Sequence, residues 1–210
     1  KMNQINKVII SVLDMEINIK TEKGYFKNHR SEMLRYIPVE SKKILEVGCG
    51  EGSFCRQILR SDREVWGIEI NSDASKVAQS ICFKVLTGDF DVVYEQLPKN
   101  YFDCVIFNDV LEHLYAPWDV ISKLRTNLSS TGMIVSSIPN FRYIDNLIME
   151  ILWKRDFRYR PEGGILDDDH IRFFTSKSII RMFNEQGYKL LIHKGINLCK
   201  SWKEKLFISL

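Results

Sequence analysis

The chain has 210 residues, a net charge of +3 and 45% hydrophobic residues. This length and composition fit one globular domain with a substantial core, and they exclude a fibrous or low-complexity protein. The modest charge does not predict a nucleic-acid partner. The five cysteines show no metal-binding or C-x-x-C spacing, and no apolar run approaches the about 20 residues that cross a bilayer. We therefore expect a cytoplasmic protein with reduced thiols.

The first 38 residues are predicted to form a helical lead-in to the main domain at 39–210. Apolar residues recur there at the spacing of three and four that is typical of an amphipathic helix, over residues 5–19. They are Ile5, Val8, Ile9, Val12 and Leu13. A second short helix is predicted over residues 29–36, because Pro38 ends the pattern.

The stretch KILEVGCGEGSF at 43–54 predicts a strand, a glycine turn and the start of a helix. This is the layout of a nucleotide-binding crossover, because glycines allow both a sharp turn and the close approach of a ligand. Glu69 ends the next predicted strand, 64–70, about 20 residues further on, where a ribose-binding carboxylate belongs. Ser53 stands where a dinucleotide fingerprint has Gly or Ala, which disfavours a nicotinamide cofactor.

Strands and helices continue to alternate after this turn. Further strands are predicted at 83–86, 102–107, 132–137 and 188–193, and further helices at 72–78, 108–124 and 175–185. The alternation predicts an open, mostly parallel α/β sheet that is doubly wound, with helices on both faces. Residues 141–174 interrupt it with an amphipathic helix at 144–152. We predict that this insertion forms a lid over the carboxyl edge of the sheet, where such sheets bind ligands.

Several motifs together carry a resemblance to a known family. They are E-x-G-x-G-x-G at 46–52, the acid that ends the second strand, G-D-F-D at 88–91 and FNDVLEHLYAPWDVI at 107–121. With them the chain resembles the class I S-adenosylmethionine-dependent methyltransferases, small-molecule branch. The later SIPN and ILDDDHIRFFT resemble members associated with sugar and polysaccharide biosynthesis. The resemblance covers most of residues 25–195 and implies a Rossmann-like sheet, a lid after strand five and S-adenosyl-L-methionine as cofactor.

The resemblance also implies an antiparallel seventh strand beside the sixth, although no clear strand pattern follows Ile196. At the methionine end of the cofactor, it implies that Glu46, Gly48 and Gly50 line the site. Asn108, at the end of the fourth strand, is then expected to face the methionine amine.

At the adenosine end, the resemblance implies that Glu69 holds the two ribose hydroxyls and that Ile70 packs on the adenine. Asp89 and Phe90 are expected to contact the adenine amino group and ring. A solvated strand-end charge at Glu69 and a plain turn residue at Asp89 are the alternatives that the residues themselves allow.

On the acceptor side, His113 or His170 is predicted to orient or deprotonate an acceptor hydroxyl, because imidazole titrates near neutral pH. A histidine in a purely structural hydrogen bond is the alternative. Arg172 is predicted to bind an anionic part of the substrate, since guanidinium suits carboxylate or phosphate. Tyr25 and Arg30 are assigned to substrate binding, with contact to the cofactor carboxylate or simple packing as alternatives.

No metal is expected, because the contiguous acids at 167–169 rarely converge on one ion. The predicted reaction is methyl transfer to a small-molecule acceptor, a hydroxyl of a sugar or polysaccharide precursor. Alternatives are a methyltransferase for RNA or protein, a nicotinamide-dependent oxidoreductase and a non-catalytic cofactor-binding homologue. N-D-V-L at 108–111, in place of an N-P-P-Y-type motif, argues against amide methylation. The helix at 144–152 offers a homodimer contact or a membrane-surface contact.

Overall fold

A computed structural model describes residues 6–13, 30–140 and 169–196. Seven strands form one sheet in these residues. They are β1 (Asn6–Leu13), β2 (Lys43–Val47), β3 (Glu64–Glu69), β4 (Lys84–Thr87), β5 (Phe102–Asn108), β6 (Leu128–Pro139) and β7 (Tyr188–Ile196). Their order across the sheet is β4-β3-β2-β5-β6-β1-β7, and all pairings are parallel. The predicted doubly wound α/β architecture is confirmed.

Helices cover both faces of this sheet. They are α1 (Ser53–Ile58), α2 (Ser72–Ala78), α3 (Phe90–Val93), α4 (Pro117–Leu124) and α5 (Ser176–Glu185), with 3-10 helices at Ser31–Tyr36, Tyr94–Gln96 and Leu111–His113. Alternate residues of each strand enter two separate cores, as the period of two requires. In β5, Val105 and Phe107 pack with α3, α4 and α5, whereas Cys104 and Ile106 pack with α1 and the Ser31–Tyr36 helix.

The N-terminal residues form a strand where the sequence predicts a helix. β1 lies between β6 and β7, and the pairings of Val8 with Ile134 and with Leu190 are parallel. Val8 and Ile10 enter one core and Ile9 the other, so the apolar run is buried on both faces and its helical spacing is misleading. β1 occupies the place of the expected antiparallel seventh strand, and the described part of 1–38 is not a separate helical lead-in.

Other differences from the sequence prediction are local. The helix predicted at 108–124 is divided, because the chain enters a 3-10 turn and α4 then begins at Pro117, a first-turn position that proline tolerates. Asn71 caps α2, and its side chain accepts from two backbone N–H groups. The 144–152 helix, with its expected dimer or membrane contact, and the tail beyond 196 lie outside the described residues.

The parallel arrangement brings the carboxyl ends of β2, β3 and β5 to one edge of the sheet. The glycine turn follows β2 at this edge, and the Leu111–His113 turn follows β5. Among the residues described, no helix has the length and hydropathy needed to cross a membrane. The four cysteines in this part of the chain, at 49, 55, 82 and 104, are buried and free.

Candidate functional site

The turn between β2 and α1 lies at the carboxyl edge of the sheet and contains three glycines. Its alternating glycines all have positive φ angles, of 71° at Gly48, 54° at Gly50 and 80° at Gly52. Glycine enters this region without the penalty that a Cβ brings. The Gly48 N–H donates to the Ile68 carbonyl at 2.8 Å, and a Cβ on Gly48 would lie 2.6 Å from Val110 Cγ2. The turn therefore needs glycine for its conformation and for its packing.

Glu69 joins the end of β3 to this turn. Its side chain is buried, and Oε2 accepts from the Gly50 N–H at 2.7 Å. Oε1 accepts from the Asn71 N–H at 2.8 Å. A carboxylate offers about four acceptor positions, so both oxygens keep capacity for ribose hydroxyls. Two backbone donors thus orient the carboxylate that the sequence assigns to the ribose.

Glu46 and Asn108 lie side by side at the ends of β2 and β5. The Glu46 side chain is only 2% exposed, and its Oε1 accepts from Asn108 Nδ2 at 2.9 Å. Its Oε2 accepts from the Cys55 thiol at 2.9 Å. Burial raises the pKa of Glu46 to about 7, although both hydrogen bonds favour the ionised form. Asn108 Oδ1 is buried and has no hydrogen-bond partner among the residues described.

The residues assigned to the adenine have different environments. Ile70 is 68% exposed beyond β3, which leaves its side chain available to a ligand. Asp89 caps α3, where its Oδ1 accepts from the Asp91 N–H at 2.9 Å. The Phe90 ring is 5% exposed and packs 5.6 Å from the Tyr94 ring. The Phe90 ring therefore packs in the core beside the loop that follows β4. The adenine-binding roles of Ile70, Asp89 and Phe90 stay predictions.

Arg30 and Asp109 form an ion pair just beyond β5. Both residues have positive φ angles, of 40° and 54°, which are uncommon for residues other than glycine. Ser137 Oγ donates to Asp109 Oδ1 at 3.0 Å, and Arg30 Nη1 donates to Glu32 Oε1 at 3.4 Å. Burial lowers the pKa of Arg30. Arg30 therefore lies at the expected edge with its charge already paired, and its substrate role stays a prediction; Tyr25 lies outside the described residues.

The two histidines predicted from separate motifs come together. The rings of His113 and His170 have centroids 4.8 Å apart in an edge-to-face arrangement. His113 Nδ1 lies 3.0 Å from the Asp169 carbonyl oxygen. The ligand atoms of Glu112, His113 and His170 all lie within 4.8 Å of one another. Two imidazoles and one carboxylate can move a proton or hold a divalent transition metal, whereas the sequence pointed away from a metal.

Arg172 holds the segment of His170 against the loop that follows β5. Its Nε and Nη2 both donate to the Tyr115 carbonyl, at 3.0 and 2.5 Å, and its guanidinium lies 5.5 Å from the centre of the Trp118 ring. The backbone N–H groups of Ile171 and Arg172 donate to the Glu112 carbonyl at 3.1 and 2.9 Å. These contacts use the guanidinium within the protein. Arg172 therefore holds two segments together, and its substrate-binding role stays a prediction.

The residues present fit the predicted cofactor. Carboxylate and amide acceptors meet at Glu46 and Asn108, the carboxylate of Glu69 lies beside the glycine turn, and the turn has no room for a Cβ at Gly48. The sequence did not single out Cys55, Asn71, Asp109 or Glu112. Of these, Glu112 stood in the L-E-H-L motif beside His113. Asn71 is a local N-cap, which its residue type and its place before α2 could have indicated. The role of Cys55 depends on a contact between α1 and β2, which no spacing reveals.

Comparisons of sequence are consistent with this geometry. A family model described as a methyltransferase domain matches residues 22–193. A ubiquinone biosynthesis O-methyltransferase of Colwellia psychrerythraea is 24% identical, over 93% of this chain and 77% of the relative. The mitochondrial enzyme of the same name from Schizosaccharomyces pombe is 29% identical, over 74% of this chain and 58% of the relative. The matches thus span between 58% and 77% of the lengths of these relatives.

Comparisons of structure show the same fold. A SAM-dependent methyltransferase from Archaeoglobus fulgidus superposes with a TM-score of 0.62 at 22% identity, covering 79% of this chain and 72% of that one. The plantazolicin methyltransferase BamL, solved with SAH, superposes with a TM-score of 0.56 at 15% identity, covering 73% and 57%. At these identities the likeness concerns the fold alone.

Proposed function

The chain belongs to the class I S-adenosylmethionine-dependent methyltransferases, and we propose that it methylates a hydroxyl oxygen of a small-molecule acceptor. S-adenosylmethionine is the cofactor of this family. The proposal is carried by the pairing of His113 with His170, whose rings lie 4.8 Å apart in contact with the loop that follows β5. We call the group of Glu46, Gly48, Gly50, Glu69 and Asn108 the cofactor half, and the group of Glu112, His113, His170 and Arg172 the acceptor half. β5 carries Asn108, whose side chain donates to Glu46, so the candidate base and the cofactor residues share one sheet edge.

The side chains of the cofactor half are suited to binding and orientation. Glu46 and Asn108 offer acceptors for the amino group of the cofactor, and Glu69 offers acceptors for the ribose hydroxyls. When bound, S-adenosylmethionine supplies an electrophilic methyl group. The task of the protein is then chiefly to align the donor and the acceptor. In favourable cases such alignment lowers the activation barrier by about 7 kcal/mol or more.

The acceptor half supplies groups that can take up a proton. A hydroxyl loses its proton as its oxygen is methylated, and a nearby imidazole is suited to accept it at neutral pH. His113 and His170 are the two imidazoles of this cluster. The buried carboxylate of Glu112 stands beside them and favours an imidazolium once the proton has moved.

Two classes of acceptor are compatible with transfer to a hydroxyl. The relatives from Colwellia psychrerythraea and Schizosaccharomyces pombe are named O-methyltransferases of ubiquinone biosynthesis, which supports transfer to oxygen. The SIPN and ILDDDHIRFFT motifs instead favour a hydroxyl of a sugar or polysaccharide precursor. We therefore place acceptors related to ubiquinone biosynthesis first and sugar hydroxyls second.

Calorimetry and a methyl-transfer assay test the proposal. We expect S-adenosylmethionine and its demethylated product to bind, and NAD not to bind. Transfer of a labelled methyl group should then be measured with dihydroxylated aromatic acids, nucleotide sugars, short RNA and a protein extract. Binding of NAD without S-adenosylmethionine would overturn the cofactor assignment. Transfer to RNA or protein alone would overturn the small-molecule acceptor.

Substitution of the two histidines tests the base. His113→Ala and His170→Ala should each lower turnover with the true acceptor by about 10²–10⁴-fold and spare cofactor affinity, because loss of a general base acts on the chemical step. His193→Ala is the matched control, since this histidine lies in β7 outside the cluster. Full turnover by both variants would leave alignment alone to carry the reaction.

A further inference from the structure

Cys55 lies beneath the cofactor half, on the third residue of α1. Its side chain is fully buried, and its thiol donates to Glu46 Oε2 at 2.9 Å. Asn108 Nδ2 donates to the other oxygen, Oε1, at the same distance. The two oxygens of one buried carboxylate are therefore each held by a donor from a different element, α1 and β5.

The thiol is suited to act as a donor rather than as an anion. Contacts with the Cys49 and Cys82 thiols, followed by burial, raise the pKa of Cys55 well above its ordinary value. The proton therefore stays on sulfur throughout the neutral range. An ionised carboxylate is a far better acceptor than a thiol sulfur, so this proton points toward Glu46 when Glu46 carries its charge.

Glu46 needs this help because its surroundings oppose ionisation. Burial is the largest cause that raises the pKa of Glu46, the charge of Glu69 at the end of β3 acts in the same direction, and the resulting pKa is about 7. The hydrogen bonds from Cys55 and Asn108 act in the opposite direction. Cys49 and Cys82 are the other titratable groups beside Cys55. The pKa of Cys49 is raised as well, since its burial outweighs the opposing hydrogen bond with Cys55. Among the described residues, the groups that lower the pKa of Glu46 are neutral hydrogen-bond donors and not cationic side chains.

We propose that Cys55 is a positioning residue for the cofactor: its thiol keeps the Glu46 carboxylate oriented and ionised for the amino group of S-adenosylmethionine. The inference rests on the assignment of Glu46 to the amino end of the cofactor. An ammonium group has three donors. The two Glu46 oxygens and the unpartnered Asn108 Oδ1 offer three acceptors, and Cys55 holds one of the three in place.

Binding of S-adenosylhomocysteine, measured by calorimetry from pH 6 to pH 9, tests the proposal. Cys55→Ala should move the inflection of the affinity upward by about one pH unit from its wild-type position near 7. The variant should then bind about fivefold more weakly than wild type at pH 7 and nearly equally at pH 9. The amino group of the ligand titrates in this range as well, but its contribution cancels in the ratio of the two dissociation constants.

Three further variants assign the effect. Cys55→Ser keeps a donor on the same carbon and should restore the wild-type profile. Glu46→Gln should abolish the inflection that lies near pH 7 in wild type, since an amide does not titrate, and should leave only the titration of the ligand's amino group. Cys104→Ala removes a thiol from the same core that is not in contact with Glu46, and it should leave the profile unchanged.

Urea unfolding of the free protein gives a second readout that needs no ligand. In wild type the free energy of unfolding should fall as pH rises and level off near pH 7. In Cys55→Ala it should level off about one pH unit higher. An equal loss of affinity at every pH would mean that Cys55 only packs, and it would overturn the proposal. A Glu46→Gln profile that keeps the inflection would also overturn it. Absence of binding by wild type at any pH would instead overturn the cofactor assignment, with the unfolding curves still reporting on the pair.

Discussion

The cofactor half and the acceptor half share one edge of the sheet but are held together differently. In the cofactor half, the Glu69 carboxylate accepts from the N–H of Asn71, two residues away, and from the N–H of Gly50, 19 residues away. In the acceptor half, side chains join segments far apart in the chain, as Arg172 does with Tyr115, 57 residues away. Residues 46–71 therefore encode most of the first half, to which β5 adds Asn108, whereas the second half exists only once the chain has folded. We expect mutations to affect the two halves separately.

The largest effect is expected from Gly48→Ala in the cofactor half. The positive φ angle costs a residue with a Cβ about 1–2 kcal/mol, and the Cβ would stand 2.6 Å from Val110 Cγ2. The free energy of unfolding should fall by about 2–5 kcal/mol, and cofactor binding should be lost. Adding Val110→Ala should restore the share of the lost stability that is due to the clash. The share that is due to the positive φ angle should remain lost. Wild-type stability of Gly48→Ala would contradict this account of the turn.

Glu46→Gln should have the next largest effect, and its sign depends on pH. Burial raises the pKa of Glu46 to about 7, above the about 4.3 of an unfolded chain. Between these values the folded state binds more protons, so its stability falls as pH rises, by about 4 kcal/mol in total. At pH 8 the variant should therefore be more stable than wild type, and at pH 4 the difference should vanish.

Urea denaturation at the two pH values measures this difference. Glu40→Gln is the control, because Glu40 is exposed and should show no such gain. If the variant were less stable than wild type at pH 8, the hydrogen bonds to the ionised carboxylate would outweigh the free-energy cost of burying its charge. The expected gain in stability accompanies a loss of cofactor affinity, since the amide no longer carries a charge for the amino group.

Glu69→Ala should weaken cofactor binding by about 1–3 kcal/mol, the range for hydrogen bonds to a charged group. Calorimetry with S-adenosylhomocysteine measures the effect, with the exposed Glu95→Ala as control. Some stability should be lost too, because the N–H groups of Gly50 and Asn71 lose their acceptor. Unchanged affinity would remove Glu69 from the ribose.

Arg172→Ala should have the smallest effect, and only in the acceptor half. Its exposed hydrogen bonds and its contact with Trp118 are worth about 1 kcal/mol together. Amide hydrogen exchange should become several-fold faster at Ile171 and Arg172, while cofactor affinity stays the same. Arg181→Ala, on the exposed face of α5, is the control. If Arg172→Ala also weakened cofactor binding, the two halves would be coupled, and mutations would not affect them separately.

Much of the cofactor half could be predicted from the sequence. Glu46, Gly48, Gly50 and Glu69 follow from the spacing of one strand, one turn and the next strand, and the structure brings all four to the carboxyl edge. Such spacing is informative because a positive φ angle and a strand-end position are local properties of the chain. The burial of the Phe90 ring could not be predicted in the same way, because its neighbours in sequence do not show that the ring enters the core.

The amino-acid sequence by itself determined the α/β alternation, the glycine turn and the strand-end carboxylate Glu69, since these depend on backbone conformation and on periodicity within a few residues. Only the tertiary structure decided that residues 6–13 form a strand, because a run buried on both faces satisfies a helical spacing as readily as an extended one, and the slot between β6 and β7 selects the strand. It also decided the pairing of His113 with His170 and the bond from Cys55 to Glu46. Those contacts join different elements, and their distances are set by packing rather than by separation along the chain.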